Sequence, residues 1–167
     1  LPEAIPVAAC DISDFRLNLV KKNMKRLNLD MVRYKESDAS IDEYRASSHF
    51  LVDAPCSGFG VIRKRSDLRW RRKPGDVKDL RVLQLKILNN VYKSLLPGGR
   101  LVYSTCTFDR EENMDVVEEF IKSHDDMSFA GVPGGFPKDL IIDNKAIATL
   151  PHLHFAEGSF AIALKKK

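Results

Sequence analysis

Cysteine is scarce in this chain, with three residues in 167, at positions 10, 56 and 106. An odd number at such wide spacing excludes a disulfide framework and points to a reducing compartment, such as the cytoplasm. No Cys-x-x-Cys pair is present, and His152 and His154 stand without a matching set of ligands, so no metal site is expected. No run of 18 apolar residues occurs, so neither a membrane-spanning helix nor a membrane partner is expected. The chain also has no Gly-x-Gly-x-x-Gly loop, no internal repeat and no low-complexity tract beyond the closing Lys165-Lys166-Lys167. Its opening Leu1-Pro2-Glu3 lacks the basic and apolar regions of a signal peptide. It lacks an initiator Met as well, and the expectation is that upstream residues have been removed. Net charge is small too. The 27 Lys+Arg against 23 Asp+Glu leave +4, too mild to announce a nucleic-acid binder.

What is present begins with size. A chain of 167 residues, 44% of them hydrophobic, is long enough for one domain with a sizeable core. The mild average charge hides a concentration: Arg63 to Lys73 carries seven basic residues and one acidic, +6 over eleven positions. The rest of the chain is slightly acidic.

Strand-like and helix-like segments alternate. Ile5 to Cys10 is a short apolar run ending at Asp11. The spacing of Phe15, Leu19, Val20, Met24 and Leu27 then predicts a helix, with Asp14 placed to cap it. Met31 to Tyr34 reads as a second strand. His49 to Val52 reads as a third, buried on both faces and ending at Asp53. Residues 77–96 form the longest predicted helix, with Leu80, Leu83, Ile87, Leu88, Val91 and Leu95 on one face and Pro97-Gly98-Gly99 as its stop. Leu101 to Tyr103 makes a fourth strand, Arg110 to Ser123 a further helix, and Ser159 to Leu164 a last strand after loops at Gly131, Gly134 and Gly135. This order predicts an α/β domain built on a parallel sheet. In such sheets ligands gather beyond the carboxyl ends of the strands. Asp11, Asp53-Ala54-Pro55-Cys56 and Ser104-Thr105-Cys106 all fall there.

The residues at those ends leave alternatives open. Cys10, inside an apolar strand, reads as a small core residue. Cys56 and Cys106 each follow a strand end, where a thiol is partly exposed and near helix N-termini that favour its thiolate; either one alone is as well read as an ordinary loop cysteine. Asp11 is placed to receive ribose hydroxyls or to cap the next helix, and position alone favours the cap. Asp38 is similarly ambiguous. The basic run Arg63-Lys64-Arg65 and Arg69-Trp70-Arg71-Arg72-Lys73 contains the only Trp. A charge run is usually a solvated face. Arginine interleaved with an aromatic suits phosphate contact and base stacking, and RNA contact is the favoured reading here.

Taken together, Asp53-Ala54-Pro55-Cys56-Ser57-Gly58 with Gly60-Val61-Ile62-Arg63, and Ser104-Thr105-Cys106-Thr107 with Glu111-Glu112-Asn113, strongly resemble two signature motifs. They are those of the Sun/Fmu (RsmB/Nop2-type) RNA cytosine-5 methyltransferases. Ala9-Cys10-Asp11-Ile12-Ser13 with Arg16 and Leu17 resembles that family's second cofactor segment, and Ser37-Asp38 its third. Pro151-His152 through Glu157-Gly158-Ser159-Phe160-Ala161 resembles its closing hairpin. Ser66, Glu157 and Ser159 depart from the usual Pro, Asp and Phe.

The resemblance implies a Rossmann-like S-adenosylmethionine methyltransferase sheet, mostly parallel with a late antiparallel strand. It implies Cys106 as the nucleophile that adds to cytosine carbon 6, Cys56 as the group that helps release product, and Asp53 as a partner of ring nitrogen 3. Asp11, Asp38, Asp53 and Pro55 would meet the S-adenosylmethionine cofactor. Arg63, Lys64, Arg65, Arg69, Trp70, Arg71 and Arg72 would meet RNA, with a single-stranded or loop cytosine in rRNA, or alternatively tRNA, as target. The family's Gly-rich first cofactor motif has no counterpart here. Residues 1–167 are therefore expected to be part of a catalytic domain whose central strand, and any RNA-binding module, lie upstream. A non-catalytic RNA-binding fragment is the rival from another class. A thiol hydrolase or redox protein is disfavoured by the missing Cys-x-x-Cys and paired His.

Overall fold

The structure, a computed structural model, describes residues 7–167. The start of the first predicted strand, at Ile5 and Pro6, and the opening Leu1-Pro2-Glu3 lie outside the described residues. The chain divides into two units, Leu1–Glu43 and Tyr44–Lys167.

In the first unit, β1 (Val7–Asp11) and β2 (Val32–Glu36) pair in parallel, with Asp11 opposite Glu36, and α1 (Asp14–Arg26) connects them. Parallel neighbours need such a crossover. The cap of α1 is Ser13, whose side chain accepts from Arg16 N, and not Asp14 as expected; Asp14 is the first helical residue. There its charge favours the helix N-terminus, and it accepts from Asn18. The helix ends in a Schellman turn: Asn28, at φ 55°, donates to Lys25 O at 3.1 Å, and Leu29 donates to Met24 O at 2.9 Å. The buried residue of α1 is Leu17, with Val20 and Met24 half-buried on the same face. Phe15 and Leu19, expected on that face, are exposed. Spacings of three and four residues fit more than one stripe on so short a helix, and packing selects one. Cys10 is also exposed, which corrects the core role expected of it. Among the described residues β1 pairs with β2 alone, and its alternate side chains lie open.

The second unit holds six strands in the order β3-β4-β8-β7-β6, with β5 also paired to β8. β3 (Ser47–Asp53) runs parallel to β4 (Leu95–Thr105), while β8 (Ser159–Lys166) runs antiparallel to β4 and carries the rest of the sheet. β5 (Met127–Phe129), β6 (Ile141–Ile142) and β7 (Ala146–Thr149) were not marked by the sequence pattern, being two to four residues long. The α/β class and the late antiparallel strand are as expected, in a sheet with a larger antiparallel share.

α2 (Leu68–Arg71), α3 (Asp76–Tyr92), α4 (Met114–Lys122) and α5 (Pro151–His154) complete the unit. Ile87, Leu88 and Val91 of α3 and Val116, Val117 and Phe120 of α4 are buried, as are Leu101, Tyr103, Ile162 and Leu164 of the sheet. Burial of such side chains contributes about 1.5–3 kcal/mol each.

Two expectations are corrected. α3 stops at Tyr92, and Pro97-Gly98-Gly99 lies inside β4. Ser47 of β3 pairs with Leu95 and His49 with Arg100, so the Pro-Gly-Gly segment is an outward irregularity of the strand. A side chain on Gly99 would meet Leu95 and the Leu96 carbonyl, each at 2.7 Å. β3 is not buried on both faces: Val52 is buried, whereas Leu51 is 72% exposed. Leu51 shares its face with His49 and Asp53, all three exposed, so among the described residues that face of β3 is left uncovered.

Candidate active site

The parallel register of β3 and β4 sets Asp53 beside Ser104. Ser104 Oγ donates to Asp53 Oδ1 at 3.0 Å, and Ala54 N donates to Ser104 O at 2.9 Å. Both chains then leave the sheet at its carboxyl edge, carrying Cys56 and Cys106 toward each other. Their sulfurs lie 3.3 Å apart, and the Cys106 backbone N–H also donates to Cys56 Sγ at 3.3 Å. Each thiol is half-buried and free.

One proton shared between two sulfurs separates their acidities. The Cys56 hydrogen bond lowers the Cys106 pKa to about 7, although burial and the charges of Asp53 and Glu112 oppose it. The same hydrogen bond, followed by burial, pushes Cys56 up. The direction of both shifts favours the thiolate on Cys106 and the proton on Cys56.

A buried polar network underlies the pair. Glu112 is 0% exposed, and its Oε1 accepts from Ser57 N at 2.8 Å and Gln84 Nε2 at 3.0 Å. Gln84 Nε2 also donates to Pro55 O at 2.9 Å. Tyr103 Oη donates to Glu112 O at 2.7 Å, and burial with the nearby Glu112 charge raises the Tyr103 pKa. Ser57 Oγ donates to Thr107 Oγ1 at 3.0 Å. Asn113 joins both sides of the Cys106 loop, accepting from Thr105 Oγ1 at 2.6 Å and donating to Thr107 O at 3.0 Å. To bring these groups inward, the predicted helix from Arg110 breaks into a 3₁₀ turn over Arg110–Glu112, an irregular Asn113, and α4. Sequence reasoning assigned no role to Gln84, Glu112 or Asn113. Gln84 did carry a signal, as a polar residue on the apolar face between Leu80 and Leu88.

The basic run lies on the same unit as the thiols. Trp70 is 89% exposed, and neither it nor the exposed Arg69 has an ion pair or ring contact among the described residues. Arg65 and Arg71 pair loosely with Asp67 at 3.5 and 3.3 Å, and Arg63 and Lys64 with Glu157 at 3.2 and 3.7 Å. The Asp67 pairs are exposed at both ends and hold little energy, whereas Glu157 is the less exposed partner of Arg63 and Lys64. Arg72 differs. Its Nε donates to Ser57 O and its NH2 to Cys56 O, each at 2.8 Å, so it faces the thiol loop.

The remaining carboxylates lie in the first unit. Asp11 ends β1, and its Oδ1 accepts from Ser13 N at 2.8 Å and from Arg16. The Arg16 hydrogen bond lowers the Asp11 pKa and keeps it ionised. The cap reading of Asp11 is corrected, because Ser13 caps α1; Asp11 instead holds the Ser13 N–H and the Arg16 side chain beside the helix start and stays a charged acceptor. Asp38 follows β2, with its Oδ1 accepting from Ser40 N at 2.8 Å. Among the described residues no group of three or more metal-ligating side chains occurs, and no helix is long and apolar enough to cross a membrane.

A paired-thiol centre thus lies at the carboxyl ends of neighbouring parallel strands in a Rossmann-like mixed sheet. A family model described as 16S rRNA methyltransferase RsmB/F matches residues 1–165, and the chain belongs to that family. It is 34% identical over 177 residues to the probable ribosomal RNA small subunit methyltransferase B of Bacillus subtilis strain 168, covering 96% of this chain and 38% of that protein. It is 36% identical over 171 residues to ribosomal RNA small subunit methyltransferase B of Salmonella newport, covering 99% of this chain and 38% of the relative. Among solved structures, NSun6 from Pyrococcus horikoshii with SFG matches at a TM-score of 0.82 and 33% identity, over 95% of this chain and 41% of that one. The chain thus spans well under half the length of these relatives.

Asp11 fits the family's cofactor in its donor–acceptor chemistry. A ribose offers hydroxyl donors, and an ionised Asp11 at a strand's carboxyl end is an acceptor for them. Its Oδ2 takes only the Arg16 Nε–H, at 2.8 Å, which leaves accepting capacity.

Proposed function

We propose that this chain carries the reacting thiols of an RNA (cytosine-5) methyltransferase that acts on ribosomal RNA through a covalent cysteine–cytosine adduct. The observation that carries the reading is the 3.3 Å approach of Cys56 and Cys106, with Cys106 lowered to about 7. Carbon 5 of cytosine is a weak nucleophile. When the Cys106 thiolate adds to carbon 6, an S–C6 bond forms and the C5=C6 electron pair becomes available at carbon 5. Asp53, held by Ser104, would be the hydrogen-bond partner of ring nitrogen 3, donating a proton to it as negative charge develops on the ring. S-adenosylmethionine supplies the electrophilic methyl group, and Asp11, Asp38, Asp53 and Pro55 are the residues that would hold it. Once carbon 5 carries the methyl group, its proton passes to solvent water, the C5–H electron pair re-forms C5=C6, and the S–C6 bond breaks with its pair on sulfur, so that aromaticity returns. Cys56, beside the departing sulfur and protonated, supplies the proton that lets Cys106 leave.

Exchange of the two thiols tests this. Cys56→Ala protein incubated with ribosomal RNA and cofactor should accumulate a covalent complex that survives a denaturing gel, and Cys106→Ala should form none. Normal methylation by both variants would sink the mechanism. Methylation of tRNA with none of rRNA would leave the chemistry and move the substrate.

A further inference from the structure

Cys56 sits in a loop without helix or strand hydrogen bonds of its own. Side chains from three other segments bind its backbone. From within, Gln84 of α3 holds the Pro55 carbonyl at 2.9 Å, and Glu112 of the 3₁₀ turn holds the Ser57 N–H at 2.8 Å. From outside, the Arg72 fork closes on the Cys56 and Ser57 carbonyls, both at 2.8 Å. Asp76, the first residue of α3, lies 3.8 Å from Arg72 Nη1. The Arg72 side chain is 30% exposed, against 58% to 74% for Arg63, Arg65 and Arg71. Two parallel N–H donors on two carbonyls use the planar geometry peculiar to guanidinium.

We propose that Arg72 is a positioning residue: by fixing the Cys56 and Ser57 carbonyls, it holds the Cys56 sulfur against Cys106 and so prepares the nucleophile. This rests on the reading of Cys106 as the attacking thiol. It sets Arg72 apart from Arg63, Lys64, Arg65, Arg69 and Arg71, which face outward. The groups acting on Cys106 are the Cys56 thiol, the largest influence, which lowers its pKa; burial, Asp53 and Glu112, which raise it; and its own backbone N–H, which lowers it by less. Loss of the clamp removes the first and leaves the others.

The test is the pH dependence of Cys106 alkylation by iodoacetamide, read site by site by mass spectrometry. Arg72→Ala should move the midpoint from about 7 upward, to or beyond the ordinary thiol value. That value is near 8.5, so alkylation at pH 7 slows about tenfold or more. Cys56→Ala should produce the same shift, and adding Arg72→Ala to it should change nothing further. Arg72→Lys, which can hold one carbonyl, should fall between and supplies the comparison if the Ala variant does not fold. The proposal is overturned if the Arg72 variants leave the midpoint in place, or if Arg72→Ala shifts it equally with and without Cys56. It also fails if the only effect is a weaker salt dependence of RNA binding, the mark of a phosphate contact. The readout needs no RNA, so failure of the adduct experiment and failure of the clamp are separate results.

Discussion

At the scale of single residues, the arrangement turns two ordinary thiols into unlike groups. Neither is distinctive alone, and burial raises both. Their contact makes them unlike, since the hydrogen bond between the two sulfurs raises Cys56 and lowers Cys106. A lowered thiol pKa means that the thiolate persists to lower pH. Alkylation of Cys106 in the unmodified protein should therefore rise through a midpoint of about 7 while Cys56 stays unreactive. A midpoint near 8.5, that of a free thiol, would refute the pairing. Glu112 carries the other residue-level prediction. Glu112→Ala strands the Ser57 N–H and removes one acceptor of Gln84 in a fully buried site. The expected loss of stability is about 3 kcal/mol by urea denaturation, with Glu112→Gln costing less because it still accepts from Ser57. Equal loss in both variants would mean that charge, and not the hydrogen bond, is what the site needs.

At the scale of elements, the junction of three segments sets the floor of the thiol site. Gly60 N donates to Cys106 O at 3.0 Å, and Gly158 N donates to Gly60 O at 2.8 Å. This ties the loop after β3, the loop after β4 and the entry to β8 together. A Cβ on Gly60 would fall 2.0 Å from Gly158 O and 2.7 Å from Cys106 O. Both contacts are backbone, so nothing flexible can give way. Gly60→Ala should cost about 3 kcal/mol in urea denaturation and slow Cys106 alkylation. An unchanged midpoint in both measurements would show that the junction is slack. The same junction explains why the run from Arg110 does not form one helix, although its composition suits one. Glu112 and Asn113 are drawn inward by partners 28 to 55 positions away or across the Cys106 loop, and the backbone bends to deliver them.

At the scale of the whole molecule, charge is distributed by unit and by face. The thiols and the basic run share the unit Tyr44–Lys167, while Asp11 and Asp38 belong to Leu1–Glu43. If Arg69 and Arg71 are phosphate contacts, replacing both by Ala should reduce the slope of log affinity against log salt by about 1.4 for single-stranded RNA. Filter binding across a salt series measures this, and an unchanged slope would return the run to a solvated face. The alternation of strands and helices, the strand-end positions of Asp11, Asp53, Cys56 and Cys106, and the family were all legible in the sequence. They depend on local periodicity and on motifs a few residues long. The stop of α3 at Tyr92, the exposure of Cys10 and Leu51, the inward turn of Arg72 and the buried Glu112 were not legible. Each depends on a partner distant in the chain or on a strand's place in its sheet. Linear order determined which residues carry reactive groups. Only the parallel register of β3 with β4 brought two sulfurs fifty positions apart to 3.3 Å, close enough for each to bear on the other's protonation.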